Sequence, residues 1–388
     1  MSEMLSVEEG KLLVGLCRAG RLYDVDKWIA AGKSIRTPPE IKKTPLQVAI
    51  DLGFHSLIEL LVRHEDSTTA KNRALAAAVS SKRLDLIELL VACGAEIRSV
   101  PLEDVLLTWE PTMIRFFLDH GADVLTNTPF AVAFREKIRT ALRPFVDYKK
   151  AHPEEEPALQ EQADRALRHF SGEGDMKWIS LLLWAGANPR SRGPALDDRW
   201  ADDPECHTTA LQEACSRGRI EVLTRLKPDP RTDNLGELLS NAASANSKET
   251  IQYLLKLGAP PNDKDNGGSS ALDHCFWHLG FGSYDQFVNK RLSTKYDVSK
   301  TFECIRALVE HGAIWKPNDR RGLNDARQAL YKCEPAVTVD LVKLLAGSKA
   351  CPEQTLEDLL EAPRMRQHLS TLGMKLAAGR AERQKYGR

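Results

Sequence analysis

The residues best placed by type and spacing to do chemistry fall between positions 263 and 278. His274 and His278 are four apart, so on a helix they share a face, and Asp273 and Cys275 adjoin them. Such a group suggests zinc, which needs three or four convergent nitrogen, sulfur or oxygen ligands. No second pair at ligand spacing follows, and Cys275 falls on the buried side of its helix, so no metal is expected. The run Asp263-Lys264-Asp265-Asn266-Gly267 opens like a calcium loop. Counted from Asp263, however, the fifth position is Gly267, and the twelfth is His274 where a bidentate Glu is required. Gly267-Gly268-Ser269-Ser270 lacks the lysine of a phosphate loop, and neither GxSxG nor HExxH occurs. The expectation is therefore a non-enzyme with no catalytic residue, no metal and no cofactor. A triad gathered from distant positions is recognised by geometry and not by order, so an enzyme built on the insertions described below is a third reading.

Composition narrows the partners. In 388 residues, 54 Lys and Arg balance 54 Asp and Glu, so no whole-chain field favours nucleic acid or an anionic membrane. At 42% hydrophobic residues a packed core is expected. The eight cysteines include no CxxC pair and are too dilute for a disulfide scaffold. No apolar stretch is long enough to span a bilayer, and the opening MSEMLSVEEGKLLVGLCRAG places acids before its apolar run instead of a basic segment. These features predict a cytoplasmic protein with no membrane partner.

The elements that must position such residues come from a repeat. Thr44-Pro45-Leu46-Gln47-Val48-Ala49-Ile50-Asp51-Leu52-Gly53 is followed by Leu57-Ile58-Glu59-Leu60-Leu61-Val62, and the frame returns from Thr209-Ala210-Leu211-Gln212-Glu213-Ala214-Cys215 and from Ser270-Ala271-Leu272. Thr44 is a good N-cap, Pro45 suits the first helical position, and Gln47 completes a capping box, as Gln212 does after Thr209. Gly94, Gly121, Gly186, Gly258 and Gly312 stand just past the second helices, where a left-handed residue is wanted. Cys17, Cys215, Cys275 and Cys333 take small-residue positions of first helices and Cys304 an apolar position of a second helix, so these thiols read as small core hydrophobes. No unit buries its stripe alone, so the units must stack.

This pattern resembles the ankyrin repeat. The segment from Gly258-Ala259 through Asn262 and Asp265 to Leu272 keeps the family's inter-repeat frame, whereas Pro260, Pro261 and Ala271 depart from it, as do Trp109, Phe170 and Lys300 where the family has Gly or Ala. The resemblance implies an all-α, ankyrin-type α-solenoid of about ten helix-turn-helix repeats with short finger loops. N-terminal repeats would occupy 1–146 and C-terminal repeats 166–347. An irregular joint over 147–165, holding Glu154-Glu155-Glu156, would separate them.

Two insertions interrupt the second set. Residues 189–208 carry Asp197, Asp198, Asp202, Asp203 and Glu205 around Trp200, and these five acids against Arg199 give the tip, 197–205, a local charge of about −4. Residues 279–299 carry Phe281, Tyr284, Phe287 and Tyr296 with Lys290-Arg291. Over 348–388, helices at 353–361 and 364–372 are expected to cap the array, and the whole stretch beyond Pro363 is a basic tail of about +6 charge.

The family resemblance implies a non-enzymatic scaffold that binds a partner protein through finger loops and the concave face of its first helices. Carried onto this sequence, the exposed first-helix positions are Val48, Asp51, Glu213, Ser216, His274 and Trp277, and the finger positions are Trp200, Asp202 and Asp203. The alternative is a nucleic-acid-associated accessory protein using the 279–299 insertion and the basic tail, although the zero net charge disfavours a nucleic-acid partner.

Overall fold

The computed structural model describes residues 4–194, 207–288, 298–317, 335–348 and 350–360, with a few positions between 322 and 330 and at 367 and 370. Among them the chain is helical, with two isolated β-bridges, Gly193 to Thr208 and Lys264 to Ser270. It forms two compact units, residues 1–166 with 181–187, and residues 167–180 with 188–388.

In the first unit helices come in pairs: α1 (Val7–Arg18) with α2 (Leu22–Ala30), α3 (Pro45–Leu52) with α4 (His55–Arg63), α5 (Thr68–Ser80) with α6 (Leu84–Ala92), α7 (Leu102–Leu106) with α8 (Pro111–Asp119), and α9 (Pro129–Arg135) with α10 (Leu142–Ala151). First helices pack on first helices, α1 on α3, α3 on α5, α5 on α7 and α7 on α9, while α2, α4 and α6 form a second layer. The cause is local. Thr44 and Gln47 make the expected capping box at α3, and Ser6 with Glu9 makes another at α1. Leu57, Ile58, Leu61 and Val62 then bury one side of α4, leaving Leu60 half-buried at its rim. Phe130, Phe134 and Phe145 form a buried three-ring cluster between α9 and α10, with centroids 5.0 and 5.2 Å from Phe145.

α11 (Glu156–Glu173) and α12 (Met176–Trp184) follow, and the boundary between the two units passes through both. The segment 147–165, expected to be irregular, is therefore mostly helix, with only His152–Glu155 between α10 and α11. Its acids and prolines are a helix start: carboxylates are favourable at a helix N-terminus, and Pro157 sits in the first turn, where its missing N–H costs nothing.

The second unit continues with α13 (Ala210–Ser216) and α14 (Ile220–Leu226), α15 (Leu235–Ser244) and α16 (Lys248–Lys256), α17 (Ala271–Val288) and α18 (Val298–Glu310). α15 packs between α13 and α17, and α16 between α14 and α18. Helices at Pro335–Gly347 and Glu353–Leu360 follow, the latter close to the first expected capping helix. The second capping helix and the tail lie almost wholly outside the described residues. The insertion expected at 279–299 begins as an unbroken continuation of α17 to Val288, because glycines such as Gly280 and Gly282 cost a helix only about 1 kcal/mol each and do not stop it. Residues 289–297 lie outside the described set. Among the described residues no helix is long and apolar enough to cross a membrane.

The turn between the two helices of a pair needs one left-handed residue each time. In the first unit these are Gly20, Gly53, Lys82, Trp109 and Lys137, and in the second Gly174, Gly218 and Asn246. Trp109 stands out, since a bulky residue at φ +66 carries a backbone penalty of about 1–2 kcal/mol that glycine avoids. Trp109→Gly is therefore expected to be more stable than Trp109→Ala by about 1 kcal/mol, the reverse of their order in a helix interior. Urea melts of the two variants would check this, and equal midpoints would show that the turn relaxes around any side chain.

Candidate partner-binding face

The first helices of the second unit share a register. Thr209 caps α13 through a capping box with Gln212, Asn234 accepts from Glu237 N at α15, and Ser270 accepts from Asp273 N at α17. Seven residues after these caps stand Ser216, Asn241 and Trp277, side by side because α13, α15 and α17 are neighbours. Ser216 is exposed, Asn241 is half-buried, and Trp277 is 49% exposed on a helix whose Leu272, Cys275 and Phe276 are buried. The Trp277 ring meets His278 edge-on at 5.2 Å. A half-exposed indole at the end of a row holding an amide and then a hydroxyl suits a protein contact, since tryptophan supplies apolar area and the polar residues supply hydrogen bonds. Asn241 was missing from the sequence-based set because its repeat begins on Asn234 rather than on a Thr or Ser cap.

Four residues after the caps the behaviour differs. Glu213 and His274 are half-buried props of the finger loops instead of free face. Thr208 Oγ1 donates to Glu213 Oε1 at 2.7 Å, and His274 Nε2 lies 2.6 Å from Asp265 Oδ2 in the loop before α17. Asp265 also accepts from Ser269 N through its other oxygen, so the supposed calcium loop is a finger turn closed on itself. The equivalent residue of the first unit, Val48, corrects the sequence reading. It is only 4% exposed, because α3 is flanked by α1, α4 and α5 and an apolar side chain on its flank has no reason to reach out. Asp51, seven after Thr44, is exposed as expected and pairs with Lys43 at 2.6 Å. Trp200, Asp202 and Asp203 lie outside the described residues.

The root of their loop is well defined. Gly193 and Thr208 exchange backbone hydrogen bonds of 3.0 Å, Arg192 Nε donates to the His207 carbonyl at 2.9 Å, and Arg190 grips Asp233 in a two-pronged pair at 2.8 and 2.9 Å. A cleft of about 220 Å³ lies there, between Arg190 and Arg192 on one side and Thr232 and Asn234 on the other. With Arg190 engaged by Asp233 and by the Lys227 carbonyl, the cleft is a braced joint.

His278 Nε2 lies 2.6 Å from the Ser244 carbonyl, and burial holds its imidazole below the ordinary value of 6.5. The unfolded chain therefore takes up this proton first as pH falls, so the stability tied to neutral His278 is complete above about pH 6.5 and declines below it. The melting temperature of the wild type is expected to drop more between pH 7.5 and 5.5 than that of His278→Gln. Parallel curves for the two proteins would remove His278 as the cause.

Five of the described thiols are poor nucleophiles. Burial pushes Cys17, Cys304 and Cys351 up to about 12, and Cys215 and Cys275 well above the ordinary range, so they stay protonated and pack as small hydrophobes. Cys333 is outside the described residues. Among the described residues no three His, Cys, Asp or Glu side chains gather as a metal site.

The family model for ankyrin repeats matches residues 13–100 in three copies. That stretch, running from α1 past the end of α6, is similar to ankyrin repeats, which generally mediate protein–protein interaction. No curated protein matches the chain at a significant level.

Proposed function

We propose that this chain is a non-enzymatic scaffold that captures a partner protein on the first-helix face of its second unit, with Trp277 as the main contact, Asn241 on the adjacent helix and Ser216 on the helix beyond. The observation that carries this reading is the half-exposed Trp277 next to the buried Cys275 and Phe276 of its helix, in register with polar residues on the two preceding first helices. Tryptophans so placed are the commonest residues to dominate interface energies. Glu213 and His274 act on the same surface indirectly, by holding the fingers at its edge. On this reading Trp200, Asp202 and Asp203 add an acidic, aromatic loop to the contact, and Asp51 marks the equivalent face of the first unit. The free buried thiols fit a reducing, cytoplasmic setting.

The test is affinity capture with the tagged full chain, identification of what co-purifies, and titration of that partner against wild type and Trp277→Ala. Loss of about 2 kcal/mol of binding, roughly thirtyfold, with unchanged thermal unfolding is expected. Equal affinity would remove Trp277 from the interface. Recovery of nucleic acid, bound with a steep salt dependence, would favour the accessory-protein reading instead.

A further inference from the structure

A different surface of the first unit carries its own argument. Four large apolar side chains are exposed where first helices turn into second helices: Leu52 at the end of α3 and Phe54 just after it, and Leu107 and Trp109 between α7 and α8. These turns line one edge. A Cβ added at Gly20 would lie 3.1 Å from the Phe54 ring, and one at Gly53 would lie 3.6 Å from Arg83 Nη1, so the first three turns adjoin one another in order. Because α5 packs between α3 and α7, the α5–α6 turn with Lys82 lies between the two apolar pairs. At 8–10 Å per packed helix, Leu52 and Leu107 are about 20 Å apart.

The edge is also basic. Arg18, Lys82 and Arg139, on the turns after α1, α5 and α9, are exposed and have no ion-pair partner among the described residues. Arg83 is held by Asp85, Asp51 by Lys43 and Glu136 by Arg135, which leaves Glu110 as the unpaired acid of these turns. Trp109 adds the strongest hint. It is 45% exposed and keeps a left-handed backbone conformation where Gly20 and Gly53 stand in the earlier turns, and strain retained under an exposed aromatic points to a use outside folding.

We propose that this edge docks an acidic amphipathic helix of another protein, with Trp109 as the anchor and Lys82 pairing with a carboxylate between the partner's apolar residues. About 13 residues of helix, at 1.5 Å each, cover the distance from Leu52 to Leu107. A single-stranded nucleic acid fits less well, because, of the four apolar side chains, Trp109 offers a ring for base stacking, whereas the leucines offer none and the Phe54 ring is laid against Gly20. The surface is independent of the Trp277 face, so either can fail without the other.

The experiment uses the full chain and a fluorescein-labelled synthetic helix of about 15 residues, with Leu at i, i+4, i+7 and i+11 and Glu between them, read by anisotropy. Wild type is expected to bind it. Trp109→Gly should weaken binding at least about tenfold with helicity and melting temperature retained. Lys82→Glu should weaken it several-fold and flatten its salt dependence. Full affinity in Trp109→Gly, equal binding of the same peptide with Lys in place of Glu, tighter binding of an oligothymidylate of equal length, or no binding by wild type would each overturn the proposal.

Discussion

Gln162→Met is expected to cost the first unit about 3 kcal/mol of unfolding free energy, more than its single side-chain amide suggests. Gln162 is buried on α11, with its Nε2 donating to the Val124 carbonyl at 2.8 Å and its Oε1 accepting from Phe130 N at 2.9 Å and Ala131 N at 3.4 Å. The two amides belong to the first turn of α9, whose N-cap residue Thr128 is left-handed at φ +49 and makes no side-chain cap. Gln162 thus caps α9 from 31 and 32 residues away and ties the preceding loop to it. Methionine conserves the volume and removes all three bonds, leaving three buried backbone groups unpaired at about 1–3 kcal/mol each before relaxation. Urea unfolding followed by circular dichroism measures the loss. Hydrogen exchange at Phe130 and Ala131 should accelerate in step, because these are the amides released. A cost under about 1 kcal/mol would mean that water replaces the glutamine.

That cap illustrates what the sequence could and could not convey. The boxes at Thr44 and Thr209 were legible because cap and partner are three residues apart, and the glycines after the second helices because one conformation demands them. Ser216 and Trp277 followed from register with those caps. Val48 did not, since its burial depends on which helices flank α3, and neither did the roles of Glu213 and His274, whose partners come from loops of irregular length. The run 147–165 was misleading for a physical reason: acids and prolines mark a loop or a helix start equally well, and what decides is the apolar stripe that follows, where Leu159, Ala163 and Leu167 are buried. Gln162 sits on that same helix beside this stripe, and its long-range bonds leave no trace in local spacing. Trp109 was visible only as a departure from the repeat, and its exposure gave that departure a meaning.

Arg168→Ala should destabilise the second unit by about 3–5 kcal/mol, the largest single effect anticipated outside the aromatic cores. Arg168 is 1% exposed, and a buried guanidinium must be met by acceptors. Nε donates to the Pro194 carbonyl at 3.0 Å and Nη1 to the Ser191 carbonyl at 3.2 Å, both on the ascending side of the loop root. Alanine deletes these bonds and opens a hole, so the cost combines unpaired carbonyls with lost packing of the aliphatic stem. Arg168→Met separates the two parts: it refills most of the volume, and the destabilisation that survives belongs to the fork. Amide exchange at Gly193 and Thr208, which bond each other across the root, is expected to quicken in both variants. Trp200, Asp202 and Asp203 follow Arg190–Pro194 in sequence, and residues held by a braced neighbouring segment lose less freedom on contact. Arg168→Met should therefore weaken capture of a partner that uses the loop while leaving the Trp277 contact intact. Unchanged exchange at Gly193 and Thr208 would show that the bridge and the Arg190–Asp233 pair hold the root without Arg168.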